Sequence, residues 1–164
     1  MSSIASKRRS VALVTGGASG VGAATCLALA RKGFDVALNY HTKAEAVESV
    51  ATGCREAGAE PLLLRGDVGE DADCRAMVAA TIERFGRLDA LVNNAAISPK
   101  GAGGSRLSAF ETELADWQTI FQVNFFAPMM LARGLIAELE KAHGSIVNVT
   151  SIAGARVPPF AGAA

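Results

Sequence analysis

Residues 15–22 read Thr15-Gly16-Gly17-Ala18-Ser19-Gly20-Val21-Gly22 and join a short aliphatic run to an alanine-rich stretch. Glycine in such a turn lets the backbone reverse tightly and come close to a ligand. Where a helix begins at the end of the turn, its free N–H groups and positive dipole end favour a phosphate. A glycine-rich turn with no ligand is the competing reading, and the flanking residues decide between the two. Residues 11–15 have the β-branched, apolar character of a strand, and a helical stretch follows, so a phosphate cradle inside a βαβ unit is expected. Gly16, Gly20 and Gly22 give the spacing Thr-Gly-x-x-x-Gly-x-Gly. That differs from the common Gly-x-Gly-x-x-Gly fingerprint, and no Gly-Lys-Ser/Thr follows to make a P-loop.

Asn124 is the second residue whose placement suggests chemistry. Leu114, Trp117 and Phe121 mark an apolar helical face, and Asn124 falls on it by the 3.6-residue period. A buried amide costs free energy unless it is hydrogen-bonded, so Asn124 is expected to have partners. Pro128, four residues on, has no N–H, and the Asn124 carbonyl therefore lacks its usual helical donor. A kinked helix with a free carbonyl is suited to holding water; a buried Asn capping an irregular turn is the plainer alternative.

These residues need elements to position them. Apolar runs at residues 11–15, 35–40, 61–65, 88–93 and 145–151 lack polar alternation and read as strands buried on both faces. Between them, Val47, Val50, Ala51 and Cys54 have helical spacing, as do Cys74, Met77, Val78, Ile82 and Phe85. Gly33, Gly58 and Gly86 punctuate the helix ends, and Asp67 or Gly69-Glu70 opens the third helix. The order βαβαβαβαβ predicts an α/β fold, a doubly wound parallel sheet of Rossmann type with five strands. Ligands of such sheets bind beyond the carboxyl ends of the strands.

Composition narrows the function classes. With 16 Lys+Arg against 16 Asp+Glu and a pI near 6.7, the chain has no electrostatic footprint for nucleic acid or an acidic membrane. A hydrophobic content of 50% excludes wholesale disorder. No stretch approaches the roughly 18 apolar residues of a membrane span. The basic start, MSSIASKRRS, leads into an apolar run too short for a signal peptide, so a cytoplasmic location is expected. Cys26, Cys54 and Cys74 have no CxxC spacing and no nearby His, which argues against disulfides and against a metal site.

The glycine spacing resembles that of the short-chain dehydrogenase/reductase family, and later strand ends extend the resemblance to the end of the chain. Asp67-Val68 follows the third strand, where the family places an Asp beside the adenine ring. Asn93-Asn94-Ala95-Ala96 resembles the family's Asn-Asn-Ala-Gly and departs from it at Ala96, whose methyl requires a negative φ. Asn124 lies in Val123-Asn124-Phe125, and Ser151 closes Asn148-Val149-Thr150-Ser151.

The resemblance implies a dinucleotide held by Gly16, Ala18, Ser19, Gly20, Val21 and Gly22 at the loop. It also implies contacts from Tyr40, His41, Asp67, Val68, Asn94, Ala95, Ala96 and Thr150. The implied chemistry is hydride transfer between nicotinamide and a small-molecule carbonyl/alcohol substrate. In it Ser151 orients the substrate oxygen and Asn124 anchors a water in a proton relay. The same resemblance implies that the full-length protein is a homodimer or homotetramer assembled through the helix bearing Asn124 and the helix that follows the family's Tyr.

For the cofactor, NAD-preferring relatives place an acid at the end of the second strand to bind the ribose 2′-OH. Counting from Gly16, that position is Tyr40, and no Asp or Glu lies within three residues. His41, Thr42 and Lys43 supply donors and charge instead, though Ser19, where many NADP-using relatives carry Arg, is neutral. NADP is the expected cofactor, with NAD the alternative.

The family's proton donor is a Tyr followed four residues later by a Lys that lowers its pKa from about 10. The one tyrosine here is Tyr40, in Tyr-x-x-Lys with Lys43, which is one residue short and at the adenosine end. The family's Tyr lies about thirteen residues after the Ser, and the thirteenth residue after Ser151 is Ala164, the last. Residues 1–164 are thus expected to be the dinucleotide-binding part of a relative of about 250 residues, inactive alone and with an unprotected fifth-strand edge. A non-catalytic dinucleotide-binding module or sensor is the alternative. A Rossmann methyltransferase is disfavoured by the glycine spacing and the Asn-Asn-Ala-Ala motif.

Overall fold

The computed structural model describes residues 8–98 and 110–152. Five parallel strands, β1 (Ser10–Val14), β2 (Phe34–Tyr40), β3 (Pro61–Arg65), β4 (Ala90–Asn93) and β5 (Ser145–Asn148), form one sheet in the order β3-β2-β1-β4-β5. They alternate with α1 (Gly20–Arg31), α2 (Ala44–Glu56), α3 (Asp71–Phe85), α4 (Leu114–Phe121) and α5 (Ala127–Ala142). The doubly wound α/β expectation is met, and the strand order reverses between β1 and β4, where such sheets bind ligands.

The unbroken apolar runs follow from burial on both faces. Val11 and Leu13 of β1 join Leu91, Met77, Leu131 and Leu135 in the layer under α3 and α5. Val14, two positions from neither and on the opposite face from Leu13, packs with Val36, Leu38, Cys26 and Val47 under α1 and α2. Successive residues of a strand point to opposite faces, so neither layer tolerates a polar position. Gly33, Gly58 and Gly86 end their helices at positive φ, and Gly86 N–H donates to the Ile82 carbonyl at 2.7 Å.

Strand β5 departs from expectation. Among the described residues it pairs only with β4, and all four of its residues are exposed, so it is not buried on both faces. It lies at the rim of the sheet, beyond the reach of α1 and α2, which cover β1 to β3.

The long helical stretch also corrects two expectations. Leu114 and Phe121 are exposed rather than buried. The buried line is instead Ile120, Val123, Ala127, Leu131, Leu135 and Leu139. Residues 114–126 are apolar on nearly all sides, so periodicity alone could not choose the face. A π-helical turn, Gln122–Phe126, separates α4 from α5, with Ala127 N–H donating to the Gln122 carbonyl. This restart puts Pro128 in the first turn of α5, where a missing N–H costs little. Leu114–Ala142 also forms 29 helical residues long and apolar enough to cross a membrane by length and composition. The expectation that no such stretch exists therefore fails; the buried line of this helix packs on α3 and the sheet.

Leu135 is fully buried, while its neighbour Ile136 is exposed. Leu135→Ala is expected to lower unfolding free energy by about 2–5 kcal/mol, and Ile136→Ala by no more than about 0.5 kcal/mol. Urea unfolding of both variants checks this; equal losses would contradict the assignment of the buried face.

Candidate functional site

The carboxyl ends of β1 and β4 meet in a buried network centred on Thr15. The Thr15 hydroxyl accepts the N–H groups of Asn94 at 2.9 Å and Ala95 at 3.0 Å. In return, Asn94 Nδ2 donates to the carbonyls of Thr15 at 2.9 Å and Gly16 at 3.3 Å. The glycine loop and the Asn-Asn-Ala-Ala loop thus form one rigid unit.

The glycines fit that unit sterically. Gly16 has φ +64°, and a Cβ there would lie 3.1 Å from Ala95 Cα. A Cβ on Gly22 would sit 2.5 Å from Asn94 Nδ2 and closer still to the Gly16 carbonyl oxygen. Gly20, at φ +56°, faces open space. Ala18 is buried, whereas Ser19, Gly20 and Val21 are exposed at the start of α1. Ser19 makes no side-chain cap, and the first turn of α1 carries no acidic residue, leaving its N–H groups for an anion. This cradle, closed to side chains and open at a helix N-terminus, fits a dinucleotide's pyrophosphate.

Asn39 is the residue that the sequence reading missed. It is buried; its Nδ2 donates to the Leu64 and Gly66 carbonyls at 3.3 and 3.0 Å, and its Oδ1 accepts Gly16 N–H at 3.2 Å. It therefore ties the ends of β2 and β3 to the glycine loop. The signal was an amide in the apolar run of β2, the same cue that singled out Asn124.

Around this hub stand the predicted adenosine-side residues. Tyr40 is half-buried and His41 exposed, and His41 Nδ1 lies 4.0 Å from Asp67 Oδ2. Asp67 Oδ1 accepts Gly69 N–H at 2.8 Å, and Val68 is buried beside it. Lys43 Nζ reaches Ser19 Oγ at 3.2 Å, joining the start of α2 to the glycine loop.

At the other end of the loop unit lies a cleft of about 970 Å³ between the ends of β4 and β5 and the π-helical turn. Asn94, Ala95, Ala96, Asn124, Thr150 and Ser151 all border it. Ala96 keeps a negative φ, because His143 is the one non-glycine with positive φ among the described residues. The departure from glycine there is accommodated. Asn93 also lines the cleft; its Nδ2 donates to Asn148 Oδ1 at 2.8 Å, while its own buried Oδ1 has no partner among the described residues.

Asn124 is half-buried, on the flank of the buried line and not within it. Its Oδ1 accepts Ile97 N–H at 2.9 Å and its Nδ2 donates to the Ile97 carbonyl at 2.8 Å. The expected amide partners exist, and they are both main-chain groups of one residue. Residues 99–109 and the tail of residues 153–164 lie outside the described residues, and Ser98 borders the cleft.

A smaller hollow of about 520 Å³ at the amino ends of the strands is lined by Arg9, Asp35 and Glu60, which already have partners. The cysteines do no chemistry in either place. All three are buried and free. Burial pushes the Cys26 thiol up to about 12 and the Cys74 thiol up to about 11, and also raises Cys54. Such thiols stay protonated and are poor nucleophiles or ligands. Among the described residues no His/Cys/Asp/Glu cluster suits a metal.

Thr15→Val is expected to leave two amides without an acceptor and to destabilise the chain by about 1–3 kcal/mol for each. Thr15→Ser keeps the oxygen and should retain most of that stability in the same unfolding titration.

Residues 10–164 match the family model described as short chain dehydrogenase. Protein FixR of Bradyrhizobium diazoefficiens is 56% identical over 77 residues, which are 47% of this chain and 28% of that protein. A 3-oxoacyl-(acyl-carrier-protein) reductase of Synechocystis is 32% identical over 145 residues, 88% of this chain and 56% of its own length. Among solved structures, a short chain dehydrogenase from Burkholderia cenocepacia in complex with NADP is similar, at 34% identity and a TM-score of 0.83. That likeness covers 93% of this chain and 60% of the other. The chain thus spans between 28% and 56% of the length of these two curated relatives. Matched by the family model from its first strand onward, the chain belongs to the short-chain dehydrogenase family.

Proposed function

We propose that this chain is the dinucleotide-binding part of an NAD(P)-dependent oxidoreductase acting on a carbonyl/alcohol substrate, with NADP preferred. The observation that carries the reading is the Thr15–Asn94 lock. It holds a side-chain-free cradle beside a cleft bordered by both Asn124 and Ser151. The similarity to a reductase and to a structure holding NADP supports it.

Each residue then has a defined task. Gly16, Gly20 and Gly22 admit the pyrophosphate, with Ala18, Ser19 and Val21 framing its approach. Asp67 and Val68 bound the adenine, and Asn94, Ala95, Ala96 and Thr150 line the way to the cleft. When bound, the dinucleotide supplies a hydride donor or acceptor. Ser151 orients the substrate oxygen by hydrogen bonding. Asn124 holds the Ile97 main chain with its side chain, while its carbonyl, denied a donor by Pro128, serves a water.

NADP preference rests on the absence of an acid at Tyr40 and on Lys43 beside Ser19. A 2′-phosphate there meets cationic and hydroxyl donors and no fixed negative charge in that stretch. A second copy of the chain is the proposed partner. Trp117, Phe121, Phe125 and Phe126 form a ladder of rings with centroids 6.4, 6.5 and 5.3 Å apart, and Phe121, Phe125 and Phe126 are exposed. An apolar surface of this kind is suited to an isologous contact.

Calorimetric titration should show tighter binding of NADP than of NAD; the reverse order would overturn the preference, and no binding of either would overturn the reading. In the native gene product, Ser151→Ala should lower kcat by about a hundredfold or more while leaving dinucleotide affinity unchanged. Dinucleotide binding without turnover by that product on any carbonyl or alcohol would favour the non-catalytic module. Phe121→Glu should convert an oligomer to monomer by light scattering, and an unaltered mass would remove this face from the interface.

A further inference from the structure

We propose that Asn93 is a positioning residue for Ser151: through Asn148 it fixes the end of β5, and with it the hydroxyl that orients the substrate. The inference rests on the task given to Ser151 above and adds the residue through which β4 governs it.

Asn93 is the last residue of β4 and Asn148 the last of β5, and the two are register partners. Their side chains are joined as well, with Asn93 Nδ2 donating to Asn148 Oδ1 at 2.8 Å. The main chain adds a further link, since Val149 N–H donates to the Asn93 carbonyl at 2.9 Å. Ser151 follows shortly after, where the regular ladder has ended. Among the described residues no other strand flanks β5, so its end takes its position from β4. Asn94, the next residue along, holds the carbonyls of Thr15 and Gly16. Adjacent asparagines thus divide the work: Asn94 shapes the cradle, and Asn93 sets where Ser151 stands relative to it.

Stability alone would not choose an amide at residue 93. Asn93 alternates with Val92 and shares the strand face of Leu91, which packs in the layer under α3 and α5. It is 5% exposed, and its buried Oδ1 has no partner among the described residues. A buried acceptor in that state is destabilising, whereas an apolar side chain in its place carries no such penalty. Asn148 is exposed, so water can take over the bond that Asn93 now makes to it. The amide at residue 93 therefore weakens the fold on one side and, on the other, makes a single bond across to β5. Residues that break a local rule in this way are expected where function requires them. Here Asn93, Asn124 and Ser151 border one cleft.

The test uses the native gene product carrying Asn93→Leu, which keeps the branching of the side chain and removes both polar atoms. Asn148→Ala, at an exposed position, removes the same bond without entering the core. Turnover is followed through NADPH absorbance with a panel of ketones, aldehydes and β-keto esters. Each substitution should lower kcat by about ten- to a hundredfold, the scale of a small misplacement of a reacting group. Affinity for NADP should be unchanged, because Asn94 and the glycine loop are untouched. Urea unfolding of Asn93→Leu should show a stability equal to or above the parent's, which a merely structural asparagine would not give. In a Ser151→Ala background, Asn93→Leu should change kcat by no more than about twofold, since the group it positions is gone. An undiminished kcat in both variants, or an equal loss with and without the Ser151 hydroxyl, would overturn the proposal while the oxidoreductase reading stands. So would a fall in stability or NADP affinity that matches the fall in kcat. Absence of turnover by the parent on every member of the panel would overturn both.

Discussion

The hydroxyl of Thr15 is a small group with a large structural consequence. It lies at the carboxyl end of β1, buried, and accepts two main-chain N–H groups from the loop after β4. Asn94 completes the exchange by donating to the Thr15 and Gly16 carbonyls. Buried amides and carbonyls left unpaired would each cost more than the net gain of an ordinary hydrogen bond, so this reciprocal pairing is nearly obligatory. It also explains the absence of a side chain at residue 22, because any Cβ there would run into the Gly16 carbonyl and the Asn94 amide. One hydrogen-bonded knot thereby sets the shape of the cradle and the position of one cleft wall together.

The sheet supplies the rigid support for that knot. Its central strands are apolar on both faces because helices cover both, and the alternation of Leu13 and Val14 between the two layers makes this concrete. Asn39 is the polar exception within β2, and it is tolerated because each of its amide atoms is used. Its three bonds carry the register of β2 and β3 into the glycine loop. The loops that would meet a ligand are therefore attached to the buried central strands of the sheet.

The helical stretch after β4 solves a different problem. Pro128 would break a continuous α-helix, and the π-helical turn before it resets the hydrogen-bond ladder so that the proline falls in a first turn. The same turn places Asn124 beside Ile97, where the amide grips both main-chain groups of that residue. An irregularity demanded by proline and the seating of the cleft wall thus have one structural origin.

Much of this was legible from residue types alone. Apolar runs five to seven residues long, the glycines at 16, 20 and 22, and the Asn-Asn-Ala-Ala segment specify strands, a turn and their order, because these depend on local sterics and on the period of the chain. The helical face of residues 114–126 was not legible, since aromatic and aliphatic residues surround the helix and only tertiary packing buried Ile120 and Val123 while leaving Leu114 and Phe121 exposed. The role of Asn39 was hidden for a related reason: its partners lie 23 to 27 residues away, and no spacing rule connects them. The exposure of β5 likewise depends on strand order, which puts it at the rim. Local chemistry, then, is written in the sequence by itself. Which faces are buried, and which distant loops share a hydrogen bond, was decided only by tertiary packing, because burial and pairing are properties of neighbours that the chain brings together on folding.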